Sequence, residues 1–206
     1  MKDNRIREVL RLIPENKVVL DIGCAQNPEI HFEIAEKSKK AVGIDISKQG
    51  LEVFKKRGLE VYEMSAEEIK LKDKFDCIVA GELIEHLSNP GLFLSGMEKH
   101  LNKNGRIILT TPNIASLFIY ILVVAFDQTQ DPTHTFYFDK KNLEVLIDRY
   151  NLRITHVQYI PPKIKILGNR MTFKVLFFIA TLFANIGYLL NNRLFGSYLL
   201  TVLEKK

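Results

Sequence analysis

The feature that most restricts the fold is a short apolar run ending in an acid and a glycine. Lys17-Val-Val-Leu-Asp-Ile-Gly has no polar alternation, as a strand buried on both faces requires, and it stops at a residue suited to a sharp turn. The pattern recurs. Ala41-Val-Gly-Ile-Asp, Leu59-Glu-Val-Tyr-Glu, Phe75-Asp-Cys-Ile-Val-Ala and Gly105-Arg-Ile-Ile-Leu-Thr-Thr read as four more strands, with helical stretches near 47–57 and 90–101 between them. A short amphipathic helix near 2–13 precedes the first. Strands alternating with helices predict a parallel sheet with right-handed crossovers, an α/β fold with helices on both faces.

The last third departs from that rhythm. Asp139 is placed to cap a helix running to Tyr150, Leu152–Ile160 alternates as a strand does, and Pro161-Pro162 breaks the chain. A strongly apolar stretch follows over 171–190, then a closing strand over 196–203. The whole of 1–206 reads as one domain, with apolar inserts near 114–130 and 163–194.

Charge is unevenly spread. The chain carries +5 overall, but the segment from Pro161 onward holds seven basic residues and one acid, leaving everything before it near −1. The basicity is therefore local, which argues against a nucleic-acid partner and points to whatever the tail touches. The charged N-terminus lacks the apolar core of a secretory signal, and Cys24 and Cys77 lie in apolar contexts without disulfide or metal spacing. Both features lead us to expect a cytoplasmic body, with the inner face of the membrane as a further location if the tail binds lipid.

Asp21 and Gly23 end the first strand where the chain must turn into a helix, and Asp45 ends the second strand 22 residues later. A small residue at such a turn lets backbone amides approach a ligand, and an acid at the second strand end can accept hydrogen bonds from both ribose hydroxyls. The runs Val19-Leu-Asp-Ile-Gly-Cys24, Val42-Gly-Ile-Asp-Ile-Ser47, Ser65-Ala-Glu-Glu-Ile69, Phe75 to Leu87 and Gly105 to Asn113 follow one another in order and spacing. Together they resemble class I S-adenosylmethionine-dependent methyltransferases over roughly 1–160. The resemblance implies a Rossmann-like, mostly parallel seven-stranded sheet. It further implies that S-adenosyl-L-methionine is held by Asp21, Gly23, Cys24, Ala25, Asp45, Ile46, Ser65, Ala66, Glu67 and Gly81. Two positions depart from the family pattern. Ala25 and Asn27-Pro28 replace the usual second glycine region, and Ser65 stands where an acid is common, with Glu67 as the substitute.

Methyl transfer is an in-line displacement, and a base is needed only if the acceptor has a proton to lose. The segment Glu82-Leu-Ile-Glu85-His86 follows the fourth strand, and a helix starting there would put Glu82, Glu85 and His86 on one face. Two carboxylates and an imidazole so clustered suit magnesium, manganese or zinc. The pattern, with a later histidine at His134, resembles the ubiquinone-pathway O-methyltransferases and the small-RNA 2′-O-methyltransferases. That resemblance implies a metal held by Glu82, Glu85, His86 and His134. The alternatives are a metal-free acid/base or substrate-binding role, and a structural one in which the acids cap the helix. His31, His100 and His156 fall in polar contexts and are expected to be solvated.

Ile114–Phe126 and Val175–Leu190 are almost wholly apolar yet shorter than the roughly 20 residues of a spanning helix. The second could lie in the headgroup region of an anionic membrane. The competing arrangement packs the two inserts together as a lid or uses them as a homodimer interface. The sequence therefore points to methylation of a hydroxyl on a small or lipid-linked acceptor. The other readings are RNA 2′-O-methylation and a noncatalytic, membrane-associated interaction module.

Overall fold

The computed structural model describes residues 4–117, 119–120, 131–161 and 182–206. The expected inserts fall largely on 118, 121–130 and 162–181, outside the described residues. Seven strands form one sheet: β1 Val18–Ile22, β2 Lys40–Asp45, β3 Glu60–Glu63, β4 Phe75–Gly81, β5 Leu101–Pro112, β6 Leu152–Ile160 and β7 Tyr198–Lys205. Their spatial order is β3-β2-β1-β4-β5-β7-β6, with β1 to β5 parallel and β7 antiparallel to both neighbours. The order reverses between β1 and β4, and the crevice beyond the carboxyl ends of those strands is where an open α/β sheet binds ligands.

Helices α1 Asn4–Leu12, α2 Pro28–Lys37, α3 Lys48–Lys55, α4 Pro90–His100 and α5 Lys140–Ile147 cover the sheet. Their starts follow from local chemistry. Pro28 and Pro90 open α2 and α4, where a missing N–H costs nothing. The side chains of Ser47, Asn89 and Asp139 accept from backbone N–H groups in the first turns of α3, α4 and α5. Adjacent strand residues face opposite layers. Leu20, Ile78 and Leu109 join Phe93, Leu94 and Met97 of α4 on one side. Val19, Val79 and Ile108 join Val9 of α1 and Ile34 of α2 on the other.

The strand boundaries moved by a few residues. β5 starts at Leu101 rather than Gly105, because Leu101 pairs with Phe75 across a bulge and Asn102 donates to Asp76 at 2.8 Å. β7 runs later than expected, from Tyr198 to Lys205, and pairs along nearly all of β6. His31 and His100 are not solvated. His31 is buried with its Nδ1 3.0 Å from Asp21 Oδ2, and His100 is buried with ring nitrogens 2.7 and 3.0 Å from the carbonyls of Gly96 and Leu71. Helix polarity patterns missed this because both rings bridge to groups distant in sequence. His156 is exposed, as expected.

Candidate active site

β1 and β2 deliver the first half of the site. Gly23 leaves β1 with φ of 79°, a left-handed conformation that favours glycine, and its N–H donates to the Ile44 carbonyl at 2.8 Å. A 3₁₀ turn over Cys24–Gln26 leads into α2. Asp45 closes this corner: Oδ2 accepts from the Ala25 N–H at 2.9 Å and Oδ1 from the Ser47 N–H at 2.8 Å. Each oxygen retains a second lone pair, enough for two adjacent hydroxyls. Ile46, next in sequence, is 75% exposed, an apolar plate beside a half-buried carboxylate. That pairing suits a nucleoside, whose ribose would take the acid and whose base would cover the isoleucine.

Beneath this corner Asp21 is almost fully buried and bonded to His31, whose ring meets Phe54 edge-on. Gly43 makes room for the pair, since a Cβ there would come within 2.9 Å of His31 and 2.7 Å of the Cys24 sulfur. Cys24 turns its side chain into a core of Leu51, Phe54 and Val61, and burial with the nearby Asp21 carboxylate raises its thiol far above the ordinary value. Only the Cys24 backbone can therefore serve a ligand. Ala66 is buried, Ser65 is exposed, and Glu67 directs a carboxylate oxygen to the Asn89 N–H at 2.7 Å. Glu67 thus fixes the start of α4.

A cleft between α1 and the ends of β1 and β4 is lined by Arg5, Asp21, Gly23 and Gly81. The Arg5 guanidinium reaches to 3.5 Å of Thr110 Oγ1, and a Cβ at Gly81 would stand 3.3 Å from it. Sequence reasoning missed Arg5. Three arginines on α1 look alike in sequence, but Arg7 pairs with the exposed Asn4 and Arg11 with the partly buried Glu8.

The second half of the site does not form as the sequence suggested. Glu82 has a φ of 52° and donates its N–H to the Thr110 carbonyl, and only Ile84–His86 forms a 3₁₀ turn. Residues 82, 85 and 86 therefore do not share one helical face. Ligand atoms of Glu85, His86 and His134 instead lie within 4.8 Å of one another, and Glu82 is not in that group. Glu85 is 1% exposed; Oε2 accepts from Thr111 Oγ1 at 3.0 Å, while Oε1 is buried without a hydrogen-bond partner. Burial, and then the neighbouring Glu82 carboxylate, hold the Glu85 carboxyl well above the usual range.

The loop of residues 131–138 carries His134 to this place and is stitched down by threonines. Thr135 donates its N–H to the Glu85 carbonyl at 2.8 Å and its hydroxyl reaches the carbonyls of Glu85 and Leu87 at 3.0 and 2.8 Å. Thr133 Oγ1 donates to Asp131 Oδ1 at 2.6 Å and lies 2.8 Å from His86 Nδ1. A hydroxyl that donates to the carboxylate must accept from the ring, so His86 carries its proton on Nδ1 and presents the Nε2 lone pair. The His134 ring meets His86 edge-on at 4.7 Å and Tyr137 at 6.0 Å. Burial, and second the proximity of the His86 imidazole, lowers the His134 imidazole, which favours its neutral form, and its Nδ1 has no hydrogen-bond partner.

A divalent cation holds its ligands about 2.0–2.2 Å away, so ligand atoms lie up to roughly 4.4 Å apart. Three ligands on one ion lie closer still, about 3–3.6 Å apart, so the three-residue group would have to draw together to enclose one. The two partnerless buried atoms, Glu85 Oε1 and His134 Nδ1, are donors of the right chemistry.

A family model described as a methyltransferase domain matches residues 1–157. Among curated proteins, the chain is 33% identical over 119 residues to a ubiquinone biosynthesis O-methyltransferase of Pelagibacter ubique, covering 55% of this chain and 49% of that one. It is also 33% identical over 105 residues to a tRNA U34 carboxymethyltransferase of a Sulfurovum species, covering 47% and 35%. The chain spans about half or less of the length of these relatives. Among solved structures, a SAM-dependent methyltransferase from Archaeoglobus fulgidus superposes with a TM-score of 0.64 at 22% identity, covering 98% of this chain and 91% of that one. The N-methyltransferase NodS of Bradyrhizobium japonicum, solved with S-adenosyl-L-homocysteine, gives 0.63 at 14% identity, covering 98% and 85%. These likenesses establish the shared fold.

Proposed function

We propose, from the premise that this chain belongs to the methyltransferase-domain family, that it methylates a hydroxyl group on a small or lipid-linked acceptor. S-adenosylmethionine supplies the transferable methyl group. Asp45 takes the ribose hydroxyls, Ile46 and Ala66 flank the adenine, and Arg5 pairs with the methionine carboxylate above Gly23 and Gly81. The observation that carries the hydroxyl assignment is Glu85: a buried carboxyl with one free oxygen, beside two imidazoles, at the end of β4.

When the acceptor oxygen bonds to the methyl carbon, its proton must leave. Glu85 Oε1 and His86 Nε2 are lone pairs positioned to receive it, and burial beside Glu82 raises the Glu85 carboxyl toward the neutral range, which suits it to taking up a proton. A divalent cation, if bound, would be held by Glu85, His86 and His134 and would polarise the acceptor hydroxyl. The half-exposed Tyr137 beside His134, with Phe136 next to it, offers an aromatic wall for an acceptor with an apolar body. A quinone precursor or a polyprenyl-linked glycan has such a body, and several relatives are named for ubiquinone biosynthesis. The near-neutral charge of residues 1–160 gives no support to an RNA acceptor.

The test is calorimetric titration with S-adenosylhomocysteine, with and without magnesium, manganese or zinc. We expect micromolar binding that Asp45→Ala abolishes. A metal response lost in both Glu85→Gln and His134→Ala assigns the three-residue group to a cation; tight cofactor binding with no metal response assigns it to metal-free acid/base work. No cofactor binding under any condition would overturn the catalytic reading and favour a noncatalytic module.

A further inference from the structure

Residues 182–190 form a helix whose polarity is inverted. Ala184 and Gly187 face the protein, and Tyr188 is half-buried with its hydroxyl donating to the Tyr159 carbonyl at 2.6 Å. A Cβ on Gly187 would come within 2.5 Å of the Phe195 ring, so the helix lies against the following turn. The large apolar side chains point outward instead: Leu182, Phe183, Ile186, Leu189 and Leu190 are each about half or more exposed, the last two at 84%. These positions span about 120° of the helix circumference, one continuous face. Leu194, 41% exposed, follows it.

A water-soluble helix buries its large residues and exposes its small or polar ones, so this face is built to be covered. Charge indicates by what. From Pro161 to Leu203 the sequence contains Lys163, Lys165, Arg170, Lys174 and Arg193 and no acid, and Arg193 is exposed three residues after the apolar face ends. An outward apolar face with an exposed arginine after it, in a stretch of sequence that carries five cations and no acid, matches a surface of apolar chains under anionic headgroups. Among the described residues no helix is long and apolar enough to cross a membrane.

The location connects this face to the cleft. The segment joins the end of β6 to the start of β7, and Tyr198 pairs with Pro112 at the carboxyl end of β5. Asn113 donates its side-chain amide to the carbonyls of Arg193 and Gly196 at 3.2 and 2.8 Å, tying the turn after the helix to the loop that leaves β5. The apolar face therefore stands on the same rim of the sheet as Glu85 and His134. We infer that the outward face of helix 182–190 seats the protein on an anionic lipid surface, with the cleft opening along that surface. The inference goes beyond the methyl-transfer reading and stands without it, because the apolar side chains of this face are not among the residues proposed to hold the cofactor.

The experiment is flotation of the full chain with phosphatidylcholine vesicles, with and without phosphatidylglycerol. Binding is expected to the anionic vesicles, to weaken as salt is raised, and to fall at least about tenfold in the double variant Leu189→Ser, Leu190→Ser. Both side chains are outside the core, so the variant should keep its S-adenosylhomocysteine affinity, which is measured alongside as a folding control. If that control fails, Phe183→Ser replaces the pair and is held to the same loss. Absence of vesicle binding by the parent chain, equal binding to neutral vesicles, or a concentration-dependent dimer that the variant dissociates would each overturn the inference. A parent chain that binds vesicles but not the cofactor would leave it standing while sinking the methyl-transfer reading.

Discussion

The two halves of the cleft are built by different means. On the side proposed to hold the cofactor, Gly23, Ala25 and Asp45 come from the ends of adjacent strands, and every bond that shapes the corner joins residues within about two dozen positions. On the side proposed to face the acceptor, Glu85, His86 and His134 are brought together by Thr111, Thr133 and Thr135 across 26 to 50 positions. The cofactor corner is a consequence of strand pairing and survives wherever the sheet forms. The acceptor corner depends on a loop being held down by a few hydroxyls, so it should be the half more easily disturbed and the half in which specificity varies.

Substitutions can break that contrast, and the largest effect should come from the cofactor corner. Asp45→Ala removes both the backbone bonds and the ribose acceptors, and calorimetry should detect no S-adenosylhomocysteine binding; retained binding would mean the corner is not the cofactor site. Glu85→Gln keeps the volume and the Thr111 bond. It should lower methyl transfer by about 10²-fold or more while leaving cofactor affinity intact. Thr135→Val should cost less, about 1–2 kcal/mol from the loss of the one hydroxyl proton shared between the Glu85 and Leu87 carbonyls. Its signature would be a raised KM for the acceptor with an unchanged cofactor Kd, and a change in both would show that the halves are coupled.

A pH effect of smaller size belongs to the sheet itself. Asp76 accepts from the Val18 N–H and from Asn102, and the Val18 bond in particular holds its carboxyl below the usual value. A folded-state value below the unfolded one contributes stability that is present above the unfolded value, near 4, and is lost as pH falls through the folded one. Thermal melts between neutrality and pH 3 should therefore steepen at the acid end in the parent chain and flatten there in Asp76→Asn. An unchanged slope would remove Asp76 from the strand-edge account.

The helix 182–190 adds a second contrast, with α4. In α4 Phe93, Leu94 and Met97 are buried against the sheet, whereas in 182–190 the large residues face out. Phe93→Ala should cost about 3–5 kcal/mol of stability. Leu189→Ser should cost almost none, and a large loss would mean the outward face is covered within the protein.

The sequence alone was enough for the succession of strands up to β5, the turn at Gly23 and the acid that ends β2, because buried parallel strands announce themselves as apolar runs closed by turn residues. It also put Glu85, His86 and His134 in one cluster, and the structure brings their ligand atoms within 4.8 Å of one another. It could not separate Glu82 from them, because a left-handed turn at 82 replaces the helix that periodicity assumed. Nor could it find Arg5 among three similar arginines, the burial of His31 against Asp21, or the threonines that fix the loop. Those depend on which groups meet across the sheet, and local pattern carries no record of distances between residues far apart in the chain. The inverted face of 182–190 belongs to the same class: an apolar run is visible in one dimension, but which side of it faces the protein is decided only when Ala184 and Gly187 find the end of the sheet.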